Sequence, residues 1–206
     1  MDLMSSLVKN LFAEPICINK NLQINNDLLL EQLKGVKLLS NKNAKKTYAS
    51  ISKNILNEIP YGKDIKKIFN DYAKSNFEAL DYITDFEICD SWFTLTEPHA
   101  EGSSHFHVNY WWSGCYYPLK TKNEKIKIIF ERPNKFQIFP NIKKFNSYNS
   151  MEQEIEIDEG DLILFPAYLS HRIGYNDSDN KRVSLAFNIN PKGEVGWNVD
   201  SKYTFK

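Results

Sequence analysis

The chain of 206 residues balances 26 Lys+Arg against 26 Asp+Glu, so no net charge recommends a nucleic-acid or membrane-surface partner, and Lys63, Lys66 and Lys67 or the Lys120 to Lys127 stretch read as solvated faces. Its length suits one domain, whose core a 42% hydrophobic and 14% aromatic composition can fill. No apolar run reaches membrane-spanning length and no leader-like start stands near Met1, so a cytoplasmic protein is expected, with Cys17, Cys89 and Cys115 as buried thiols in a reducing compartment.

Residues 1–80 are expected to be mostly helical. Met1 to Lys9 is weakly amphipathic, and Leu11 to Ile18 suits a short strand, with Pro15 at an edge. Asn25 and Asn26 can cap a helix over Asp27 to Lys34, which Gly35 stops. Ala44, Tyr48, Ile51, Ile55 and Ile59 recur at steps of three to four, the period of an amphipathic helix that Pro60 ends. Ile65, Ile68, Phe69, Tyr72 and Leu80 mark a further helix over Lys63 to Leu80.

After Asp81 the pattern turns to strands. Phe86 to Leu95 is rich in β-formers, and the His105 segment and Ser113 to Tyr117 follow. Ile126, Ile128 and Phe130 alternate with Lys125, Lys127 and Ile129, and Ile155 and Ile157 with Glu154, Glu156 and Asp158. Gly160-Asp161 turns into the apolar run Leu162 to Phe165, a strand buried on both faces, and Val183 to Ile189 closes the series. A jelly-roll-like double sheet over 81–192 is expected, with the N-terminal helices packed on one sheet and a tail over 193–206.

Three of the four histidines fall between His99 and His107. Residues two apart on a strand share a face, so His105 and His107 can converge, and His171, about sixty residues later, can complete a metal site. Arg182, on the next strand, can pair bidentately with a carboxylate, and Ser184 shares its face. A metal site beside an anion site suits a non-haem iron centre with positions left open for a chelating cosubstrate and O₂.

His105-x-His107-x-Asn109, Ser113-Gly114-Cys115-Tyr116-Tyr117, Gly160 to Pro166, His171 and Arg182-x-Ser184-x-Ala186-Phe187-Asn188 together resemble the 2-oxoglutarate- and Fe(II)-dependent oxygenases, over roughly Ser91 to Asn190. The resemblance is to the branch frequent in bacterial and viral genomes. It implies a double-stranded β-helix, His105 and His171 as iron ligands, and Arg182, Ser184 and Tyr117 around the far carboxylate of 2-oxoglutarate. The implied reaction consumes O₂, releases succinate and CO₂ and hydroxylates a C–H bond of a small-molecule or protein side-chain substrate. The family pattern expects His-x-Asp or His-x-Glu, and here His107 stands at the acidic position.

Three assignments of the third ligand stay open: His107 itself, Asn109 as a weak oxygen ligand, or a loop carboxylate from Glu97 or Glu101. Trp111 and Trp112 suit a substrate lid or core packing equally. Two other functions also stay open, a three-histidine metal enzyme on a cupin-like barrel that does not use 2-oxoglutarate, and a non-catalytic protein that kept the barrel.

Overall fold

The computed structural model describes residues 8–9, 11–41, 44–119, 126–136, 138–196 and 201–205. Strand β1 (Cys17–Asn19) leads to helix α1 (Asn26–Leu33), whose N-cap Asn25 accepts from the Leu28 amide at 3.0 Å. Strands β2 (Leu38–Ser40) and β3 (Thr47–Ser50), a single turn α2 (Ile55–Glu58) and the long helix α3 (Gly62–Ala79) follow. Ile65, Phe69, Ala73 and Phe77 recur every four residues along α3 and are almost fully buried, so one stripe of the helix faces the sheet.

The remaining strands are β4 (Phe86–Thr96), β5 (Trp112–Tyr116), β6 (Ile126–Glu131), β7 (Glu152–Ile157), β8 (Leu162–Pro166), β9 (His171–Ile173), β10 (Arg182–Pro191), β11 (Gly193–Val195) and β12 (Tyr203–Phe205). Seven of them form one sheet in the order β1-β8-β5-β10-β4-β3-β2, and three form a second in the order β7-β6-β9. Every described pairing within the two sheets is antiparallel.

Alternation along the strands sorts the large sheet into two faces. On β10, Val183, Leu185, Phe187 and Ile189 face the helices, while Ser184, Ala186 and Asn188 face a cavity between the sheets. Phe69 of α3 stacks on Phe187 with ring centroids 4.8 Å apart and lies 5.6 Å from Tyr116. A second core, with Ile126, Ile128, Phe130, Ile163 and Phe165, joins the two sheets at the β6–β8 side. At the turn into β8, fully buried Asp161 accepts from Lys20 Nζ at 2.6 Å and from the Asp158 amide at 2.9 Å, which satisfies its charge.

Three expectations change. The region from Ala44 to Ile59 is not one helix, since its first half is β3 and only Ile55–Glu58 is helical. The 3.6-residue spacing is overridden by serines. Ser50 Oγ accepts from the Phe93 amide at 3.1 Å, and Ser91 Oγ accepts from the Leu56 amide at 2.9 Å, which ties this stretch to β4. The first eighty residues are accordingly mixed, because β1, β2 and β3 all belong to the large sheet. The tail contains a hairpin of β11 and β12. Most of the Met1 to Lys9 segment, and most of Lys120 to Lys127, lie outside the described residues.

Gly114 on β5 marks how closely the helix-facing core is packed. A Cβ placed there would lie 2.3 Å from Phe187 Cζ and 2.7 Å from Leu164 Cδ2, and the Phe187 ring is already held against Phe69. Gly114→Ala is expected to lower stability by about 1–3 kcal/mol, the usual cost of overpacking, read as a reduced urea midpoint at unchanged slope.

Candidate metal centre and its cavity

The segment carrying His105 and His107 is held by the chain that carries His171. His105 N donates to His171 O at 3.0 Å, His171 N donates to His105 O at 2.9 Å, and His107 N donates to Ala167 O at 2.9 Å. These backbone bonds fix the register that turns all three imidazoles toward one point. Ring centroids are 4.5 Å apart for His105 and His171, and 5.2 Å for each of the other two pairs. One ligand atom from each ring lies within 4.8 Å of the others, and among the described residues no Asp, Glu or Cys joins the group.

Each ring is anchored through Nδ1. His105 Nδ1 lies 2.9 Å from Ser103 O, and His171 Nδ1 lies 2.9 Å from Leu169 O. A carbonyl oxygen only accepts, so both rings carry their proton on Nδ1 and keep the Nε2 lone pair free. His107 Nδ1 lies 2.6 Å from Asn188 Oδ1 and 2.9 Å from Ser113 Oγ, while Ser113 Oγ donates to the same Asn188 oxygen at 2.8 Å. Fixing one nitrogen by an outer hydrogen bond is how metal-binding imidazoles are oriented.

Burial favours the neutral form of His171 and His107. His171 is 8% exposed, packed against Phe165 at 4.5 Å and Phe130 at 5.9 Å, and burial together with the nearby His105 lowers its pKa to about 3. The His107 pKa is lowered too, first by burial, although its bond to Asn188 opposes the shift. Neutral imidazole is the ligating form.

The cavity that the histidines open into has a volume of about 750 Å³ and is lined by inner-face residues of β3, β4, β5 and β10. Tyr117 and Ser184 lie in its wall, both buried, and Cys115 sits in hydrogen-bonding contact with the two of them. Desolvation raises the Tyr117 hydroxyl well above its usual range and pushes the Cys115 thiol up to about 11, so both stay protonated near neutrality. Arg182 is 4% exposed and close enough to Tyr117 to act on its charge. It does not itself line the cavity, and its Nη1 and Nη2 donate to Gly174 O at 2.8 Å and Tyr175 O at 3.2 Å.

Other sequence-based expectations fall elsewhere in the fold. Trp111 and Trp112 are no lid. They pack against Phe77 of α3 at 4.8 and 5.2 Å on the helix side of the sheet, where aromatic burial outweighs exposure at a pocket mouth. Asn109 has a left-handed backbone (φ 68°), offers its carbonyl to Asn190 Nδ2 and does not line the cavity. Glu97 pairs with Lys181 at 3.0 Å, and neither it nor Glu101 reaches the cavity. His99 lies 3.6 Å from Asp179, apart from the other histidines.

Residue pattern alone did not single out the wall beside His107. Trp92 on β4 has its ring 5.5 Å from that of His107, and Lys53 Nζ lies 5.2 Å above the Trp92 ring. Asp90 and Tyr110 line the cavity next to them. Asp90, Trp92, Thr94 and Thr96 alternate along β4 with Ser91, Phe93 and Leu95, and that period of two marks this face.

A family model described as "Putative 2OG-Fe(II) oxygenase" matches residues 90–188, a span that contains all three clustered histidines, Tyr117, Arg182 and Ser184. Over that span, just under half of the chain, the protein is similar to the 2-oxoglutarate- and Fe(II)-dependent oxygenases. That family uses Fe(II), 2-oxoglutarate and O₂. A search of curated protein sequences returns no match.

Solved structures give the fold. HygX from Streptomyces hygroscopicus, crystallised with nickel, 2-oxoglutarate and hygromycin B, superposes with a TM-score of 0.56 at 9% identity, covering 90% of this chain and 86% of its own. A Pseudomonas putida prolyl-4-hydroxylase gives 0.58 at 12% identity, with 87% and 94% covered. The epimerase SnoN from nogalamycin biosynthesis gives 0.62 at 10% identity, with 85% and 76% covered. At such identities the likeness establishes the architecture, a double-stranded β-helix with helices on one sheet.

The donor set fits the metal that the family requires, because three anchored nitrogens offered from one side leave room for other ligands on the opposite side. The same burial makes stability depend on pH. An unfolded chain protonates His171 and His107 near 6.5, whereas the folded metal-free protein resists protonation of His171 down to about 3. The unfolded state binds more protons across that window, so stability falls as pH is lowered from about 6.5 toward 3. Denaturant titrations of metal-free protein at several pH values should show that slope, and His171→Gln should flatten it.

Proposed function

We propose that His105, His107 and His171 hold the iron and that the oxygenase hydroxylates a C–H bond of a small-molecule or protein side-chain substrate. The observation that carries this reading is the convergence of three Nδ1-anchored imidazoles, within 4.8 Å, at the wall of a cavity large enough for cosubstrate and substrate together. Bound Fe(II) supplies O₂ activation coupled to decarboxylation of 2-oxoglutarate, and the protein's share is positioning and exclusion of water.

Tyr117 and Ser184 line the end of the cavity that takes the far carboxylate of 2-oxoglutarate, with the buried Arg182 close to Tyr117. Tyr117 and Ser184 offer hydroxyl donors, and the buried Arg182 supplies the positive charge that the anion requires once out of water. Trp92 and Thr94, on the face of β4 beside His107, then contact the substrate. Three free cysteines and the lack, among the described residues, of a helix long and apolar enough to cross a membrane accord with a cytoplasmic, single-domain enzyme.

One observation favours a second reading. Both Nη atoms of Arg182 already bond backbone carbonyls, as they would in a three-histidine metal enzyme whose Arg182 only fastens a loop. Mixing the protein anaerobically with Fe(II) and 2-oxoglutarate should give the visible charge-transfer band of the chelate, and adding O₂ should release succinate. Absence of both refutes the proposal. Arg182→Met is expected to raise KM for 2-oxoglutarate by about thirtyfold or more, on the order of 2 kcal/mol for a lost buried charge pair. A correctly folded Arg182→Met protein with unchanged KM shows that Arg182 only fastens its loop, whereas a protein that binds Fe(II) but gives neither band nor succinate selects the second reading.

A further inference from the structure

Asn188 lies at the centre of a row that crosses three strands. It is the cross-strand partner of Ser113 on β5 and of Asp90 on β4, and β10 has a register shift immediately after it. Its side chain is 3% exposed and that of Ser113 is 1% exposed. Tyr110, entering from the loop before β5, donates its hydroxyl proton to Asp90 Oδ2 in a very short bond and also lies within hydrogen-bonding reach of Asn188.

The directions of these bonds follow from chemistry. A carboxylate only accepts, so the Tyr110 proton points at Asp90, and toward the neighbouring Asn188 the Tyr110 oxygen can act only as an acceptor. That places the Asn188 NH₂ toward Tyr110 and the Asn188 oxygen toward His107, in agreement with the 2.6 Å contact of Oδ1 with His107 Nδ1 and the 2.8 Å donation from Ser113. From His107 Nδ1 to Asn188, from Asn188 to Tyr110 and from Tyr110 to Asp90, every donor points the same way. Hydrogen bonds aligned in this manner polarise one another, and they do so most where water is excluded.

We propose that Asp90, acting through Tyr110 and Asn188, orients and polarises His107, so that the carboxylate missing from beside the metal works from the far end of a hydrogen-bonded chain. Asp90, Tyr110 and Asn188 are positioning residues, and none of them is a ligand. The inference rests on the reading of His107 as an iron ligand. Three neutral imidazoles lack the anionic donor that the family pattern expects. An imidazole whose Nδ1 proton is drawn toward a carboxylate is a stronger donor at Nε2, which restores part of that character without bringing a charge to the metal.

The test is anaerobic Fe(II) affinity, together with the proton resonance of His107 Nδ1 in the Zn(II)-loaded protein. Asn188→Leu is expected to weaken Fe(II) binding by about 10–100-fold, the range that outer hydrogen-bond partners contribute. Tyr110→Phe keeps the Asp90 charge and breaks the link, whereas Asp90→Asn keeps the shape and removes the charge. Each should weaken binding by about tenfold, and the double variant no further, because both cut one chain. Both should move the His107 Nδ1 proton upfield.

Asn188→Asp, with a carboxylate placed directly against His107, should bind at least as tightly as wild type, also in the Tyr110→Phe background. Should Asn188→Leu fail to fold, the half-buried Tyr110 and Asp90 variants carry the test, checked by the melting of their metal-free forms. Wild-type affinity and an unmoved resonance in those two, or independent additive losses in the double variant, overturn the proposal. A wild-type protein that binds no Fe(II) overturns instead the reading of the three histidines and takes the chain down with it.

Discussion

Two reciprocal backbone hydrogen bonds, between His105 and His171, hold the centre together. Imidazoles from segments about sixty residues apart meet at one point only if those segments share a register. A slip of one residue would turn every side chain of the segment to the opposite face. The extended chain before β5 carries no continuous ladder of its own. It is held by Gly102 on Ile173, His105 on His171 and His107 on Ala167, so the short β9 and the turn before it serve as its template. The template is in turn fixed by β6, which pairs with β9 on one side and β7 on the other.

The division of the large sheet into two faces assigns tasks to alternate residues of the same strands. On β10, the apolar Val183, Leu185, Phe187 and Ile189 join the helix-side core, while Ser184, Ala186 and Asn188, polar or small, line the cavity. The helix layer thus carries the burial that stabilises the sheet, and the opposite face is released from packing to hold Ser184, Asn188 and their neighbours. Buried polar groups are tolerated there because they are bonded to one another, as Ser113, Asn188 and His107 show.

Much of this could be read from residue pattern. Alternation in β6 and β7, the apolar run of β8 and the cluster of His105, His107 and His171 need only periods of two and the chemistry of imidazole. The helix-like spacing through Ala44 to Ile59 misled because serine hydroxyls at positions 50 and 91 supply long-range partners that no local period reports. Trp111 and Trp112 adjoin the His105 to His107 segment in sequence but enter the helix-facing core, where they pack against a neighbour distant in sequence, Phe77. Asp90 and Tyr110 were invisible for a related reason. Their meaning depends on the cross-strand pairing of Asp90 with Asn188, which is a property of register and not of either segment.

The contact between His107 and Asn188 also bears on how this chain can change over generations. Restoring an acidic residue at position 107 would set a carboxylate oxygen against the Asn188 oxygen, two acceptors with no proton between them. Turning the Asn188 amide over would relieve that clash, but would aim its oxygen at a Tyr110 hydroxyl already committed to Asp90. An acidic residue at position 107 would therefore call for a change at position 188 or 110 as well, so these positions are coupled through shared hydrogen bonds.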